Sequence, residues 1–353
     1  MAKDNRNLFK TGFSKDDLVI LDDEKLHRMQ ETTLGILRDF VDVADRYHLN
    51  YCMGGGSCLG AVRHHGFIPW DDDVDINIPR RDYERLMEIF DRELGDRYCL
   101  NTPEKTHDHG QSNATITKKG TAYRSFNELS KDNPGIGIDL FVIENTYDNP
   151  VLRKLQGIFS LGAGYILTCR KTTHDMPFLE PYLKDAPEVA AAFRKKDRFG
   201  RFFRWMSLDK VTRMTAHQYG ICRNNHSKYV TVPSGRKHFF GEMYPRDVLC
   251  ETVQMPFEDI EVRVARDYDT YMRGLYGDDY MVIPPEGKHE QHAIMELDFG
   301  DDADAAAGLA GIEAKGAAAR DPDRSTAKGA AAGETEGSGD KAASKDEETA
   351  SGR

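Results

Sequence analysis

The sequence predicts an α/β (α+β) fold, with a small mixed sheet flanked by helices, a mostly helical C-terminal lobe and a disordered tail. In the first 145 residues, amphipathic helical patterns alternate with short apolar runs of strand length. From about residue 150, apolar residues recur mainly at helical spacing. After Phe299 there is no aromatic residue. We therefore expect an N-terminal extension at 1–21, a core at 22–145, a lobe at 146–299 and a tail at 300–353.

The core begins with an amphipathic helix at 22–48, in which apolar residues repeat at intervals of three and four. Asp22 and Asp23 favour its N-terminus, and Ser57 is expected near the N-cap of a short second helix. The other core elements are predicted in this order: strand 51–54, helix 57–64, strand 74–78, helix 81–94, and strands 98–101, 114–118 and 136–143.

The lobe is predicted to contain helices at 152–168, 201–219 and 268–275, with strands at 228–232 and 260–264. Residues 155–168 are apolar, are too short to cross a bilayer, and have basic residues on both sides. Two interpretations remain open for them. They form a buried helix of the lobe, or a surface that rests on a membrane or meets a lipid-linked acceptor.

Charge and cysteine content narrow the class of protein. The formal net charge is −11, of which residues 301–353 supply −5, so the rest of the chain is near −6. This balance argues against non-specific nucleic-acid binding. Six irregularly spaced cysteines and a polar N-terminus without an apolar signal region are typical of a cytoplasmic protein with reduced thiols. If residues 155–168 form an exposed surface, we expect the protein to bind peripherally at the inner face of the membrane.

The most informative stretch is a glycine-rich turn, Gly54-Gly55-Gly56-Ser57, followed by an acidic run. Asp71, Asp73 and Asp75 alternate, so on a strand they would share one face. Carboxylates packed so closely favour a hard divalent cation such as Mg²⁺, or Mn²⁺. The flexible turn could offer backbone N–H groups to a phosphate. A solvated acidic turn or a calcium loop is the alternative interpretation.

A third carboxylate should come from a neighbouring strand, and Asp139 is the best candidate. It is the single acid in the apolar run Ile136-Gly137-Ile138-Asp139-Leu140-Phe141. A buried lone carboxylate is expensive unless it is paired or binds a metal. The alternatives are a buried arginine partner or a cap.

These residues carry a resemblance to a known family. Gly-Ser, then Leu-Gly-Ala-Val-Arg-His, then Gly-Phe-Ile-Pro-Trp-Asp-Asp-Asp-Val-Asp-Ile and Pro-Arg resemble the signature of the LicD family, within the nucleotidyltransferase-fold superfamily. The family includes bacterial phosphocholine transferases and the fukutin-related proteins. Gly137-Ile138-Asp139-Leu140-Phe141 resembles its later acidic strand, and Leu275-Tyr276-Gly277-Asp278-Asp279 part of its C-terminal pattern. The resemblance covers about residues 22–299.

The resemblance implies a role for each matching residue. Gly56 and Ser57, beside Gly55, fall on the phosphate-binding turn. Asp73 and Asp75 fall on the metal-binding pair, and Asp139 on the third ligand, which is also the expected base. Asp71 is a further acid of the family, expected in an outer position or at a second ion. With these roles, 22–145 becomes the catalytic core and 146–299 completes the site.

Three basic residues are candidates for holding phosphate. Arg63 follows the turn, Arg80 follows the acidic strand, and Lys118 ends a predicted strand. Surface ion pairs are the alternative for the two arginines, and a solvated turn is the alternative for Lys118. His289 and His292 lie in a polar stretch that could fold back toward the site.

The resemblance implies Mg-dependent transfer of a phospho-alcohol, phosphocholine or a similar group, from a CDP-activated donor such as CDP-choline. The acceptor is a hydroxyl of a cell-surface glycan or its lipid-linked precursor, and CMP is released. No nucleic acid is expected as a partner, and peripheral membrane contact would run through 155–168. An alternative is a nucleotidyltransferase that adds NMP to a small molecule. A non-catalytic scaffold is disfavoured because all three carboxylates are present.

Overall fold

A mixed β-sheet flanked by helices organises the chain, which confirms the predicted fold class. The computed structural model describes residues 18–19, 21–125, 128, 134–183, 187–285, 289 and 293–300, so residues 301–353 of the predicted tail, most of the N-terminal extension and His292 lie outside the described residues. The described strands are β1 (Cys52–Met53), β2 (Asp75–Pro79), β3 (Tyr98–Asn101), β4 (Ala114–Lys118), β5 (Ala122–Ser125), β6 (Gly137–Asn145), β7 (Tyr229–Thr231), β8 (Met243–Pro245), β9 (Thr252–Phe257), β10 (Ile260–Ala265) and β11 (Ile294–Asp298).

Along the chain, helices precede β1 and lie between β1 and β3, between β6 and β9, and between β10 and β11. Asp22 caps the first of them, accepting a hydrogen bond from the Lys25 N–H (2.8 Å). None of the helices within the described ranges has the length and apolar composition that a bilayer crossing requires. They are α1 (Asp23–Arg46), α2 (Gly55–His64), α3 (Arg80–Glu93), α4 (Pro150–Leu179), α5 (Pro187–Phe202), α6 (Leu208–Tyr219), α7 (His238–Gly241), α8 (Arg246–Cys250) and α9 (Tyr268–Tyr276).

The strand order of the main sheet is β1-β2-β6-β4-β3, and β7 extends it by pairing with β6 and β8. Within the described residues, every pair of this sheet is antiparallel except β2 with β6, which is parallel. A parallel pair needs a crossover connection, which α3 and the strands after it supply. Two separate antiparallel pairs, β9 with β10 and β5 with β11, complete the strands.

The two faces of the main sheet differ in chemistry because side chains alternate along each strand. One face is apolar and fully buried in the principal core, with Ile76, Ile116, Ile138 and Leu140 at its centre. The opposite face carries the polar side chains of the same strands, namely Asp75, Asn77, Thr115, Thr117 and Asp139. One face of the sheet therefore forms the hydrophobic core, and the other carries the polar side chains that are candidates for a functional site.

Most predicted elements are confirmed to within one or two residues at their ends, and β3 and β4 match their predicted bounds. The single helix predicted for 201–219 is wrong. Residues up to Phe202 belong to α5, and α6 begins at Leu208, because the Ser207 hydroxyl caps it by accepting from the Lys210 N–H (3.2 Å). The strands β5, β8, β9 and β11 were not predicted, and α4 ends at Leu179 rather than at the predicted residue 168.

Arg80 lies in a buried ion pair rather than at the surface. Its side chain is 9% exposed and that of Glu144 is 1% exposed. Its Nε donates to Glu144 (3.1 Å), its Nη2 also contacts Glu144, and its Nη1 donates to Glu104 (3.2 Å). Burial raises the pKa of Glu144, and the arginine opposes that shift. A Cβ at Gly220 would lie 3.2 Å from Arg80 Nε, so the end of α6 packs on the pair.

Replacing Arg80 by alanine should lower the free energy of unfolding by about 3–5 kcal/mol, because Glu144 would stay buried without its counter-charge. Urea unfolding followed by circular dichroism measures the change. Arg81→Ala removes the neighbouring, exposed arginine and should change stability by less than about 0.5 kcal/mol. Equal stability of the two variants would contradict the inferred ion pair.

Candidate active site

The parallel pairing of β2 and β6 brings two of the predicted carboxylates together. Asp75 lies directly opposite Asp139 in the register, and Thr115 of β4 flanks Asp139 on its other side. Adjacent strands lie about 4.8 Å apart, so two side chains that share a face at this point are immediate neighbours. The Asp139 N–H donates to the carbonyl of Val74 (2.8 Å), which anchors the start of β6.

The loop before β2 concentrates three further carboxylates. Asp71, Asp72 and Asp73 each present an oxygen, and these oxygens lie within 4.8 Å of one another. The loop is fixed on both sides. The Asp71 N–H donates to the Ile68 carbonyl (2.9 Å), and the Gln30 side-chain amide donates to the Asp71 carbonyl (2.9 Å). Asp72 was not among the predicted ligands, because alternation along an extended strand would point its side chain away from those of Asp71 and Asp73.

The glycine turn packs directly against the side chains of Asp75 and Asp71. Gly55 has a φ of +42°, and a Cβ on it would lie 2.6 Å from a carboxylate oxygen of Asp75. A Cβ on Gly56 would lie 2.9 Å from a carboxylate oxygen of Asp71. Side chains cannot be added at these positions without displacing the acids. Because both positions are glycine, the backbone of the turn can lie directly against the carboxylates of Asp75 and Asp71.

Helix α2 begins at Gly55 with Gly54 as its N-cap, so the prediction of Ser57 near the N-cap is displaced by three residues. Ser57 is instead buried in the first turn, where its hydroxyl accepts from the Asp75 N–H (2.9 Å). The Gly54 N–H donates to the Asp75 carbonyl (2.8 Å). The first N–H groups of a helix have no intrahelical acceptor. Those of Gly56 and Ser57 thus form a natural place for an anion.

The turn is also held by a residue far along the chain. The Tyr271 hydroxyl on α9 accepts from the Gly55 N–H (3.2 Å) and from the side-chain amide of Asn77 (2.9 Å). Tyr271 is fully buried, and burial raises its pKa well above the ordinary value. A neutral hydroxyl thus links the glycine turn to β2. The last part of the lobe contributes directly to the geometry of the site.

A cavity of about 170 Å³ adjoins the acids and is lined by Asp72, Asp73 and Asp139. Tyr123 also lines this cavity. Its pKa is raised mainly by burial, and to a smaller extent by the negative charges of Asp72, Glu128 and the other carboxylates of the cavity. No feature of the sequence singled out Tyr123. Its position depends on where β5 runs after the β4 turn.

Two more residues that the sequence did not assign to the site lie at its edge. The pKa of Tyr276 is raised mainly by burial and further by the negative charges of Asp75 and Asp71. The positive charge of Arg236 lowers it. Arg236 is therefore a positive charge near the acidic side of the turn. The signal that could have indicated it is Ser234-Gly235-Arg236-Lys237, a small-residue turn with two basic residues after a predicted strand.

The three predicted phosphate-binding cations have different placements. Arg63 lies close to the Tyr276 phenol and donates to the carbonyl of Tyr280 (3.0 Å). Arg80 follows the far end of β2, about 16 Å along the strand from Asp75, and its donors serve Glu144 and Glu104. The structure does not bring it to the acids.

Lys118 is also kept from the acids, because of strand parity. In β4, Thr115 and Thr117 line the cavity of the acids, so the intervening and following positions face the other way. Lys118 is exposed at the end of the strand. In contrast, His289 does fold back, as its ring stacks on Trp70 with centroids 3.5 Å apart.

The donor set fits a hard divalent cation. Every candidate ligand is a carboxylate oxygen, and no thiol or imidazole belongs to the acidic group among the described residues. Mg²⁺ and Mn²⁺ prefer such ligands, and the closeness of the negative charges favours a bound cation. Asp71, Asp72 and Asp73 are the residues whose oxygens lie close enough to hold it together, and Asp75 and Asp139 lie on the adjoining strands β2 and β6.

Comparison with known proteins agrees with this geometry. Residues 48–152 match the family model described as LicD/FKTN/FKRP, nucleotidyltransferase domain. This range contains the glycine turn, the acidic loop and β6. Residues 48–152 therefore form a LicD-type domain. The resemblance seen in the sequence motifs is thereby confirmed.

Similarity to individual proteins extends beyond the LicD domain. The chain is 24% identical over 281 residues to Lipopolysaccharide cholinephosphotransferase LicD of Haemophilus influenzae, covering 77% of this chain and 97% of that protein. It is 37% identical over 70 residues to Ribitol 5-phosphate transferase FKRP of Mus musculus and of Homo sapiens, which covers 20% of this chain and 13% of each relative.

Magnesium should stabilise the LicD domain against thermal unfolding, by about 2.7 kcal/mol when free metal is about a hundred times its Kd. Asp73→Asn should lose most of this stabilisation because one of the clustered carboxylates is removed. In EDTA the variant should be at least as stable as the wild type, since repulsion falls. Asp96→Asn, at an exposed site, should respond like the wild type. An unchanged magnesium response in Asp73→Asn would argue against the metal assignment.

A buried glutamate beside the Arg236 loop makes stability depend on pH. Glu242 accepts from the Lys237 N–H (2.8 Å), and burial raises its pKa to about 7. Because the folded state holds this proton more tightly than the unfolded state, stability falls as pH rises from 4.5 through 7. The total loss should be about 3 kcal/mol. Glu242→Gln should flatten this part of the curve in urea unfolding at a series of pH values. An identical pH dependence in the variant would show that another group is responsible.

Proposed function

We propose that this protein is a phosphotransferase that moves a phospho-alcohol, phosphocholine or a similar group, from a CDP-activated donor to a glycan hydroxyl. The observation that carries the proposal is the placement of Asp75 opposite Asp139, with the Asp71–Asp73 loop and the glycine turn beside them. Two relatives are named for such transfers, one of phosphocholine and one of ribitol 5-phosphate. Both act by moving a phosphate-containing group.

The reaction needs an anion cradle, a base and a means of neutralising the pyrophosphate. The N–H groups of Gly56 and Ser57 hold the donor phosphate at the start of α2. Arg236, at the edge of the site, adds positive charge. Bound Mg²⁺ or Mn²⁺ supplies neutralisation of the pyrophosphate and of the charge that develops on it. We assign the metal to Asp73, Asp75 and Asp139, helped by Asp71 and Asp72.

The transfer is a substitution at the phosphorus that carries the alcohol. A glycan hydroxyl forms a new O–P bond to this phosphorus, and the bond from the phosphorus to the bridging oxygen breaks. CMP leaves with the electron pair. Asp139 accepts the hydroxyl proton. Its position on β6, between β2 and β4 and beside the cavity lined by Asp73, is the basis of this assignment.

A nucleotidyltransferase that adds NMP to a small hydroxyl compound would use the same acids. The two functions differ in their products. The first releases CMP from a CDP-alcohol, and the second releases pyrophosphate from a nucleoside triphosphate. The donor panel below therefore includes both kinds of substrate.

The test incubates the protein and magnesium with CDP-choline, CDP-ethanolamine, CDP-glycerol, CDP-ribitol and the four nucleoside triphosphates. We expect slow CMP release to water from one CDP-alcohol, and no pyrophosphate. Asp139→Asn should reduce CMP release by at least about 100-fold, in the range for loss of a general base. Asp96→Asn should match the wild type. Pyrophosphate release, or wild-type turnover by Asp139→Asn, would refute the proposal.

A further inference from the structure

The outward face of α4 is apolar over its first four turns, where a helix packed on a domain is normally polar. The residues on it are all exposed, with Phe159 61% and Val151 66% exposed. The opposite face is the one that packs on the protein. There Gln156 is buried, and its side-chain amide donates to the Asn145 carbonyl (2.9 Å). The exposed apolar stripe consists of Val151, Leu152, Leu155, Ile158, Phe159 and Tyr165. The structure thus buries one side of this helix and exposes the apolar residues of the other.

The apolar stripe continues onto the neighbouring helix. The Tyr165 and Phe199 rings are in contact, with centroids 5.3 Å apart. Beyond Phe199, Phe202 and Trp205 are each 75% exposed. We call the α4 stripe together with Phe199, Phe202 and Trp205 the apolar face. A group of exposed apolar side chains with several aromatic rings is typical of an interaction site.

The segment that carries the apolar face is positively charged. Residues 150–219 contain 13 Lys and Arg and 6 Asp and Glu, a net charge of +7 in a chain whose net charge is −11. The Lys210 ammonium lies over the Trp205 ring, 5.8 Å from its centroid. Exposed basic residues also lie at the start of α4, along α5 and just after it, namely Lys154, Arg194, Lys195, Arg198, Arg201 and Arg204. Aromatic and aliphatic side chains ringed by Lys and Arg suit the interface of an anionic bilayer.

The charge also argues against a second copy as the occupant. Two copies meeting through this face would bring two positively charged segments together, which repel. An anionic lipid surface attracts the same charges, at about 1 kcal/mol for each basic residue near it. Charge complementarity therefore favours the lipid surface.

The apolar face adjoins a large cavity next to the site. Tyr165 and Leu161 line a cavity of about 690 Å³, and Gln111 lines both this cavity and the smaller one with Asp73 and Asp139. Within the described residues, the buried side-chain oxygens of Gln111 and Ser160, both in the larger cavity, have no hydrogen-bond partner. Such oxygens suit a ligand rich in hydroxyl groups.

We propose that the apolar face docks on an anionic bilayer and presents the larger cavity to a lipid-linked glycan acceptor. The acceptor part of this inference rests on the proposed function, while docking itself does not. Tyr165 contributes to both the face and the cavity, so a glycan anchored in the same bilayer enters beside it. The lipid anchor stays in the membrane, and the glycan hydroxyl reaches Asp139.

Vesicle co-sedimentation of the full chain tests docking, with phosphatidylglycerol/phosphatidylcholine vesicles compared with phosphatidylcholine alone. We expect binding to the anionic vesicles, weakened by salt. The triple variant Phe159→Ser, Phe202→Ser, Trp205→Ser should lose at least about 100-fold in partitioning, since each large apolar side chain contributes roughly tenfold. Val282→Ser, at a similarly exposed apolar residue outside the face, should bind like the wild type.

Fluorescence and an inactive variant separate the possible outcomes. The chain has two tryptophans, and emission from Trp205 should shift to the blue on anionic vesicles, a shift that Trp205→Phe abolishes. Asp139→Asn should bind vesicles like the wild type, so loss of CMP release and loss of docking are distinguishable. CMP release without vesicle binding would overturn the docking proposal and leave the proposed function intact. Concentration-dependent dimers that the triple variant disrupts, without vesicle binding, would assign the face to a second copy.

Discussion

The parallel pairing of β2 with β6 is the constraint on which the rest of the site depends. A parallel register fixes which residues of two strands lie opposite each other, and here it places Asp75 opposite Asp139. A slip by one residue would turn Asp139 into the apolar core and bring Leu140 to the polar face. The tightly packed isoleucines on the other side prevent that slip. The same packing that stabilises the sheet thus keeps two negative charges adjacent.

Sequence reasoning recovered what depends on local pattern. Strand alternation and the apolar run around Asp139 were sufficient to predict β2, β6 and the acids on their shared face. It failed where the outcome depends on distant partners. Arg80 looked like a phosphate ligand because it follows the acidic strand, but Glu144 and Glu104 bind it at the far end. Tyr123 had no local pattern at all, since its place depends on the path of the chain between β4 and β6.

The lobe is as important to the site as the core that matches the family. Tyr271 on α9 orders the glycine turn, and Arg236 brings positive charge toward the acids. The segment between these parts and β6 contains α4 to α6, which supply the apolar face and the walls of the larger cavity. The two sides of this segment differ: its inner side lines the larger cavity, and its outer side carries the exposed apolar face.

The hydrogen bond from Gly55 to Tyr271 joins positions 216 residues apart. During synthesis the N-terminal part of a chain emerges first, so all the acids leave the ribosome long before the tyrosine that orders the turn. Contacts of such long sequence separation form late, because the entropy of closing the intervening loop must be overcome first. The Gly55–Tyr271 hydrogen bond is therefore expected to form only after α9 has been synthesised, later than the local contacts of the acids.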